Sequence, residues 1–526
     1  MVSSAKLVPQ GKSLHVAIVG GGLAGLAAGC TLAEAGCRVS LYEKRPYLGG
    51  RASSYQHPGT GEVVDNCQHV LLGCCTNLID LYRRTGVEDK IRWYDELTFL
   101  EPGGRASRIA PSFLPAPLHN GPSFLGAHCL GLRDKLSIAR VMMALLPGVP
   151  EDNGQSFLAW LQQYGPTSAA LERFWKPILI SALNEDLDRV SVFYAGQVIR
   201  ESFMKSAAAG RMGIPAIPLS DLYAAGAGYI QARGGEVFLR ASVESIAVDG
   251  RAEISPVDVL GKNNLSAVPS PDQDSNWPGT DGKGTASAVP SAPQMTRALA
   301  PAGVRIRTSQ GEFPCDAVIL AAPFDVTAKL LPPGLAPQDW IATTDALETS
   351  PIAGIHLWFD RQISELDHAV LLDRTIQWMF HKSRIQSAIR GGDSASGSYV
   401  ELVVSAAKTL VNLSKNEIVD LAVRELREFF PAAREAQLVK STVIKEIHAT
   451  FSPGPGVDRH RPSQATASER VFLAGDWTAT RWPATMEGAV RSGYLAAEAV
   501  TQATGLQASR LLVPDLPPTG LMRLAG

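Results

Sequence analysis

The sequence predicts an α/β protein with a doubly wound nucleotide-binding domain. An apolar strand at 16–19 runs directly into the glycine-rich turn 20–25. A second apolar strand, 471–474, stops at Gly475 near the other end of the chain. Both patterns are typical of parallel strands whose carboxyl ends hold a phosphate-containing ligand. A dinucleotide held by two distant parts of one chain is more often FAD than NAD, so the predicted chemistry is redox.

The region 15–43 contains the first half of this fold, in the order strand, turn, helix and strand. A helix is expected over 23–35 because alanine and leucine, which are strong helix formers, dominate that stretch. Gly36 would end the helix. Residues 38–43 then form the second strand, which completes the strand, helix and strand that open a doubly wound sheet.

The glycine turn and the acid that follows it carry the first predicted cofactor contacts. Gly20, Gly22 and Gly25 have the Gly-x-Gly-x-x-Gly spacing, which lets a pyrophosphate approach the N-terminus of a helix. Glu43 ends the second strand, 43 − 20 = 23 residues after the first glycine. This spacing suits an acid that accepts hydrogen bonds from the ribose hydroxyls.

Two further segments suit the same cofactor. Gly50 and Arg51 would let the backbone pass close to the pyrophosphate while the arginine supplies positive charge. Asp476 follows Gly475 and is placed to bind the ribityl chain or a water beside the phosphates. A helix is expected to begin near Met486, and its positive N-terminus would stabilise an anionic reduced flavin.

Composition excludes several classes of protein. The net charge of −2 shows no basic excess, so a nucleic-acid partner is not expected. The seven cysteines form no C-x-x-C pair and have no matching histidine spacing. We therefore expect neither a metal site nor a disulfide framework, and a reducing compartment is favoured. No run reaches the ~18 apolar residues that a transmembrane helix needs.

The region 111–146 has two open interpretations. It contains repeated prolines, apolar residues that look exposed, and an amphipathic helix from about Asp134 to Leu146. It either packs on the core as a loop and helix or forms an interfacial surface through which a lipid enters.

The remaining organisation follows from where the nucleotide-binding pattern stops and returns. A stretch at about 251–301 is too polar to pack and is predicted to be a disordered insertion. The predicted units are the FAD-binding domain in three parts (1–110, 236–330 and 442–510), a helical substrate and membrane-contact region (111–235), a substrate-domain sheet and helix (331–441), and a tail (511–526).

Together, the glycine turn, the Gly-Gly-Arg block and the Gly-Asp-Trp and Met-Glu-Gly-Ala blocks resemble the amine oxidase and phytoene desaturase flavoprotein superfamily. Within it, the blocks at 174–177, 181–190 and 210–215 are most similar to the squalene-associated FAD-dependent desaturases, now understood as hydroxysqualene dehydroxylases. The resemblance implies an FAD-binding domain of the amine oxidase type, a mixed-sheet substrate domain and a helical lipid-entry region.

The resemblance also assigns residues. It places Val243 beside the adenine and Met486 beside the flavin. Amine oxidases carry an aromatic residue where this chain has Thr485, and some attach flavin through a cysteine late in the chain, whereas none follows Cys315 here. Both departures favour non-covalent FAD and argue against an amine substrate.

The activity implied is reductive dehydroxylation of hydroxysqualene, a C30 isoprenoid, to squalene in hopanoid biosynthesis. An external, NADPH-linked donor would first reduce the flavin, and an acid or a cation would help the hydroxyl to leave. His69, Asp65 and Arg200 are the candidate catalytic residues. Because the substrate is nearly insoluble, the enzyme is expected to be cytoplasmic and peripheral, at the inner face of the cytoplasmic membrane, with contact through about 111–146.

Two alternatives remain. One is a carotenoid (phytoene-type) desaturase of the same fold, which oxidises C–C bonds. The other is a non-catalytic FAD-bound lipid carrier, which would bind lipid without changing the flavin spectrum.

Deleting residues 262–291 should leave soluble expression and FAD content unchanged, because so polar a stretch adds no packed core. Flavin absorbance per mole of purified protein measures this. Loss of soluble protein on deletion would contradict the predicted disorder.

Overall fold

The protein is described by a computed structural model covering residues 13–57, 61–248, 303–332, 334–335, 347–390, 397–506 and 511–525. The predicted insertion at 251–301 lies outside the described residues. Among the residues described, no helix has both the length and the apolar composition needed to cross a bilayer.

The strands of the described chain, in order, are β1 His15–Val19, β2 Arg38–Glu43, β3 Ser54–Gln56, β4 Val63–Asp65, β5 Leu71–Leu72, β6 Ile91–Tyr94, β7 Leu97–Leu100, β8 Ala106–Ile109, β9 Met212–Pro215, β10 Glu236–Leu239, β11 Val243–Val248, β12 Val304–Thr308, β13 Gly311–Cys315, β14 Ala317–Leu320, β15 Thr349–Phe359, β16 His368–Leu371, β17 Trp378–Phe380, β18 Ser398–Ser405, β19 Leu438–Phe451 and β20 Val471–Leu473.

The α-helices are α1 Leu23–Glu34, α2 Thr76–Thr85, α3 Gly121–Gly126, α4 Leu132–Ala144, α5 Phe157–Gln162, α6 Ser168–Ala170, α7 Lys176–Leu183, α8 Val192–Ile199, α9 Leu219–Gln231, α10 Phe324–Leu330, α11 Lys382–Arg390, α12 Lys415–Phe429, α13 Ala432–Glu435 and α14 Met486–Thr504. Two π-helical turns, Leu171–Trp175 and Arg200–Met204, adjoin α7 and α8.

A five-stranded parallel sheet in the order β10-β2-β1-β14-β20 forms the nucleotide-binding domain. Its central strands β1 and β14 are almost wholly apolar and buried, as expected for a parallel sheet covered on both faces. The predicted helix over 23–35 is present as α1, which ends one residue earlier, and Gly36 adopts φ +83° just beyond it. The doubly wound α/β fold class is confirmed.

The carboxyl ends of β1 and β20 lie at the same edge of this sheet, where α1 and α14 begin. The two helices pack closely: a Cβ on Gly493 of α14 would lie 2.3 Å from the carbonyl oxygen of Ala24 in α1. A glycine is therefore required there, and it brings the two helices into direct contact.

A seven-stranded mixed sheet in the order β19-β15-β18-β17-β16-β7-β8 forms the second large unit. Only β16 and β7 pair in parallel; the other neighbours are antiparallel. This is the mixed sheet that the superfamily resemblance implied. The segment containing α3 to α8 packs beside it around buried aromatic side chains such as Phe157, Trp175 and Tyr194.

The C-terminal segment is hydrogen-bonded to two helices. The backbone N–H of Leu511 donates to Glu498 of α14 at 2.6 Å, and that of Val513 donates to Asn77 of α2 at 2.9 Å. A 3₁₀ helix, Gly520–Leu524, follows and buries Met522. The described part of the predicted tail, residues 511–525, therefore contacts both α2 and α14.

Candidate functional site

The glycine turn after β1 has two structural glycines and one that leaves space. Gly20 adopts φ +114°, and a Cβ there would lie 2.4 Å from the carbonyl oxygen of Ala321. A Cβ on Gly25 would lie 1.9 Å from the carbonyl oxygen of Gly20. Gly22 is the N-cap of α1, and a Cβ there would meet nothing closer than the Cα of Gly50, at 3.9 Å.

A second glycine pair faces this turn. Gly49 and Gly50 adopt φ +103° and +64°, and Gly49 forms a parallel bridge with Gly22. A Cβ on Gly50 would lie 3.1 Å from the Cα of Gly22. At these two positions the space above the N-terminus of α1 is therefore bordered by backbone. Such a cradle fits the pyrophosphate of a dinucleotide, which binds backbone N–H groups at a helix N-terminus.

Glu43 is buried at the end of β2 and lines the same cavity. Its carboxylate accepts hydrogen bonds from the backbone N–H groups of Gly21, at 2.7 Å, and Arg45, at 2.8 Å. Each oxygen keeps a further acceptor position. The side chain thus braces the glycine turn, and it remains our predicted contact for the ribose hydroxyls.

The two ends of the chain meet through an ion pair. Arg51 donates to the carboxylate of Asp476 and, at 3.1 Å, to the carbonyl oxygen of Ala449. Arg51 and Asp476 both line the cavity. Because they neutralise each other, Arg51 contributes less free positive charge to the pyrophosphate than its position in the sequence suggests.

Helix α14 begins at Met486, as predicted, beside the cavity. The hydroxyl of Thr485 accepts from the backbone N–H of Gly488 at 3.1 Å and caps the helix. Gly475 adopts φ +146° and ends β20 at the same edge. At the far end of the cavity, Val243 begins β11, where the resemblance places the adenine.

Sequence reasoning did not single out Glu487. Its carboxylate accepts from the side-chain amide of Asn77 at 2.9 Å and from the backbone N–H of Leu78 at 2.8 Å. The pKa of Glu487 is raised by burial. The residue joins the first turn of α14 to that of α2, so two helix N-termini are held together beside the cavity. Its position within the Met-Glu-Gly block was the available signal.

One continuous cavity joins these elements to an apolar region. That region lies between the mixed sheet and the helical segment. Representative lining residues are Phe99, Ile178, Val198, Phe203, Val370 and Phe380.

His69 lines this cavity. Its Nδ1 lies 2.8 Å from the carbonyl oxygen of Cys67. A carbonyl only accepts, so Nδ1 carries the hydrogen and Nε2 keeps its lone pair. Burial lowers the pKa of His69 below the usual histidine range. The ring is therefore neutral at neutral pH and is able to accept a proton at Nε2.

Asp65, another of the candidate catalytic residues, is buried and is not among the residues that line the cavity. Its carboxylate accepts from Ser54 Oγ at 2.6 Å, from the backbone N–H of Leu219 at 3.1 Å and from Lys382 Nζ at 2.7 Å. Burial acts to raise the pKa of Asp65, but Lys382 outweighs it and holds the pKa below its usual range. The residue is an ionised structural anchor.

Arg200, the third candidate catalytic residue, also lies outside the cavity wall. Its guanidinium donates to the carbonyl oxygens of Leu145, at 2.8 Å, and Leu146 at the end of α4, and to that of Ala525 at 3.3 Å. It does not line the cavity. The next residue, Glu201, does, and it is paired with Lys205 at 2.8 Å.

Residues 111–146, all of them described, contribute nothing to the cavity wall. The region that we expected to admit a lipid therefore does not itself line the cavity.

Replacing Gly22 with valine should abolish FAD retention while the protein still folds. The backbone at Gly22 (φ −75°) accepts any residue, and the added side chain would enter only the space left for the pyrophosphate. Flavin absorbance per protein, together with the thermal midpoint of the apoprotein, measures this. Gly228→Val, on the exposed face of α9 with open space around it, is the matched control. A yellow Gly22→Val protein with full FAD content would contradict the assignment.

The sequence comparisons agree with this geometry. Residues 18–85 match a family described as an NAD(P)-binding Rossmann-like domain, and residues 294–501 match flavin containing amine oxidoreductases. The 15-cis-phytoene desaturase of Synechococcus elongatus is 26% identical over 504 residues, covering 93% of this chain and 96% of that protein. The zeta-carotene desaturase of Synechocystis sp. is 26% identical over 517 residues, covering 93% and 97%.

Solved structures share the fold. An oxidoreductase from Methanosarcina mazei superposes with a TM-score of 0.63 at 17% identity, covering 93% of this chain and all (100%) of that one. Putrescine oxidase bound to putrescine gives 0.62 at 15% identity, again covering 93% and 100%. Both sequence relatives are carotenoid desaturases rather than hydroxysqualene dehydroxylases, so they support the broader assignment. Together these matches support an FAD-dependent oxidoreductase of the amine oxidase superfamily.

Proposed function

We propose that the protein is an FAD-dependent oxidoreductase that acts on a long isoprenoid hydrocarbon. The observation that carries this proposal is the single cavity that joins the backbone cradle of Gly22 and Gly50 to an apolar wall. Each methylene-sized group buried there contributes about 0.8 kcal/mol, so a long hydrocarbon binds with few polar contacts.

The residues around the cradle fit FAD. Gly22, Gly50 and Glu43 would hold its pyrophosphate and ribose, and Asp476 and the start of α14 would face the flavin end. When bound, FAD supplies a two-electron acceptor or, once reduced by an external NADPH-linked donor, a two-electron donor.

We expect FAD to be bound without a covalent link. Burial raises the pKa of Cys67, and a hydrogen bond that the Cys75 thiol donates to Cys74, together with burial, raises the pKa of Cys75. Both line the cavity as thiols rather than as reactive thiolates.

The first candidate reaction is desaturation of a carotenoid-type (phytoene-like) chain. The two carotenoid desaturase relatives, which match the chain over more than nine-tenths of its length, support it. Desaturation removes one hydrogen with its bonding electrons and a second as a proton from the adjacent carbon. His69 Nε2, on a neutral ring that lines the cavity, is a group able to take that proton.

The second candidate is reductive dehydroxylation of hydroxysqualene. The blocks that resemble the dehydroxylases contribute Pro177, Ser181, Asn184 and Met212 to the cavity wall, where the chain of the substrate would lie. In this reaction a hydride equivalent replaces the hydroxyl, and the departing hydroxide needs a proton. Neutral His69 has no proton at Nε2 to give, so the acid would have to come from another cavity group such as Glu201.

Product analysis with two substrates separates the candidates. Oxidised holoenzyme incubated with phytoene should bleach its flavin and form a conjugated polyene if it desaturates. Pre-reduced holoenzyme incubated anaerobically with hydroxysqualene should form squalene if it dehydroxylates. Mass spectrometry and flavin absorbance report both. Lipid binding with no change in the flavin spectrum in either assay would contradict the proposal and favour a carrier.

A pH profile tests His69 as the proton acceptor. The neutral ring is populated above its pKa, and that pKa lies below the usual ~6.5 of histidine. The single-turnover rate of flavin reduction should therefore be flat through neutral pH and fall only in more acidic solution. His69→Gln should lower the plateau by roughly 10²-fold or more and remove the acidic limb.

The control is His128→Gln, which changes an exposed histidine away from the cavity. A rate that rises as the pH falls, or a His69→Gln rate equal to that of the wild type, would contradict this role.

A further inference from the structure

We propose that Trp378 and Phe380 stabilise positive charge on a carbon of the substrate during the reaction. Both side chains line the cavity, and we call them the aromatic pair. They are alternate residues of β17, so both point to the same face of the mixed sheet. Their ring centroids lie 5.5 Å apart, and their planes are 5° from parallel. The inference rests on the proposed isoprenoid function and adds two catalytic residues to it.

Both candidate reactions leave a substrate carbon positively charged. In desaturation a C–H bond breaks, and its electron pair leaves with the hydrogen for oxidised FAD. The adjacent carbon then loses a proton to His69 Nε2, and the electron pair that remains forms the C=C bond. In dehydroxylation the C–O bond breaks, and its electron pair leaves with the oxygen, which takes up a proton; the charged carbon then receives hydride from reduced FAD. An uncompensated charge in an apolar cavity is strongly unfavourable, so the wall has to offset it.

The orientation of the indole is fixed by hydrogen bonds to α7. Trp378 Nε1 donates to Ser181 Oγ at 2.6 Å, and the hydroxyl of Ser181 donates to the carbonyl oxygen of Pro177 at 2.6 Å. The one polar atom of the indole is thereby satisfied. The ring therefore does not have to reorient when charge develops on the substrate, which is what electrostatic catalysis requires.

The aromatic pair lies in the part of the cavity that holds His69. Phe380 belongs to one buried cluster with Cys67, and Trp378 and Val70 pack against that cluster. Cys67 also holds the His69 ring through its carbonyl oxygen, 2.8 Å from Nδ1. In desaturation the carbon that becomes positive is bonded to the carbon that loses the proton. The ring and the proton acceptor therefore have to be close together, as this shared cluster makes them.

An aromatic face suits this charge better than a carboxylate does. The π-electrons attract a cation that lies within about 6 Å of the ring centroid, most strongly at tryptophan. A neutral ring offers no basic oxygen that would bond to the cation or remove its proton. The carboxylate of Glu201, which also lines the cavity, is already paired with Lys205 at 2.8 Å.

Successively more fluorinated tryptophans at position 378 test the electrostatic role, because fluorine withdraws electron density from the ring face and changes the shape little. With the lipid that the wild-type holoenzyme converts, the single-turnover rate should fall stepwise with fluorine content, by roughly tenfold across the series. The affinity for the lipid and the FAD content should stay the same. Fluorinated phenylalanines at position 380 should lower the rate in the same direction. The matched control is the same tryptophan series at Trp93, which is partly exposed and does not line the cavity.

A cationic lipid tests the aromatic pair without turnover. An isoprenoid that carries a protonated tertiary amine within its chain resembles the charged carbon, and the hydrocarbon with carbon at that position is its neutral counterpart. The oxidised wild-type holoenzyme should bind the amine roughly tenfold more tightly, as measured by the change in flavin absorbance. The most fluorinated tryptophan at position 378 should remove this preference. Attraction by a carboxylate such as Glu201 would survive fluorination, so the loss is specific to the ring.

Three results would overturn the proposal while the isoprenoid function stands. The first is a rate that does not depend on fluorine content at either position. The second is equal binding of the amine and the hydrocarbon by the wild type. The third is a loss of FAD content that matches the loss of rate, since the two side chains would then have a structural role. Conversion of neither phytoene nor hydroxysqualene by the wild type would instead remove the isoprenoid function, and this proposal with it.

Discussion

The close approach of two glycine backbones, Gly22 and Gly50, is the constraint on which the rest of the site depends. At the N-terminus of α1 it leaves a space that these two residues border with main chain alone, and a side chain at either position would enter that space. Two contacts stabilise this approach. Glu43 accepts a hydrogen bond from the backbone N–H of Gly21 in the glycine turn, and the ion pair between Arg51 and Asp476 links the N-terminal and C-terminal parts of the site. The packing of α1 against α14 at Gly493 then fixes the second helix N-terminus relative to the first.

The glycine turn and its acidic partner were predictable because each depends on residues that are close together in the sequence. A glycine spacing after an apolar strand, or an acid at the end of the next strand, fixes its own geometry through local backbone rules. Asp65 and Arg200 were not predictable in this way. Asp65 accepts a hydrogen bond from Lys382, 317 residues away, and Arg200 donates one to the carbonyl oxygen of Ala525, 325 residues away. Which face of a strand or helix a polar residue occupies depends on such distant partners, and the sequence around it carries no sign of them.

Lys382 also explains how the segment that carries His69 is held. Lys382 is fully buried, and its ammonium group donates to Asp65 at 2.7 Å and to Gln68 at 2.8 Å. These two hydrogen bonds fix both ends of the segment 65–68, which precedes His69. Glu401 lies 3.5 Å from the same ammonium group. Burial raises the pKa of Glu401 to about 8 even though Lys382 acts to lower it. At neutral pH this cluster therefore holds one cation, one anion and one protonated acid, so the cluster itself carries no net charge.

The proton donors and acceptors that line the cavity help to distinguish the two candidate reactions. Desaturation releases a proton and dehydroxylation consumes one. The carbonyl of Cys67 fixes the tautomer of His69 so that the ring accepts and does not donate, and burial keeps it neutral. The protonated carboxyl of Glu401 does not line the cavity and does not reach the substrate. The block that contains Ser181 and Asn184 resembles the hydroxysqualene dehydroxylases and so favours a C30 isoprenoid in the proposed function. The tautomer of His69, in contrast, favours desaturation, which releases a proton. A dehydroxylase built on this cavity would need its acid from another lining group, such as Glu201, which is paired with Lys205, or Glu487, whose pKa is raised by burial.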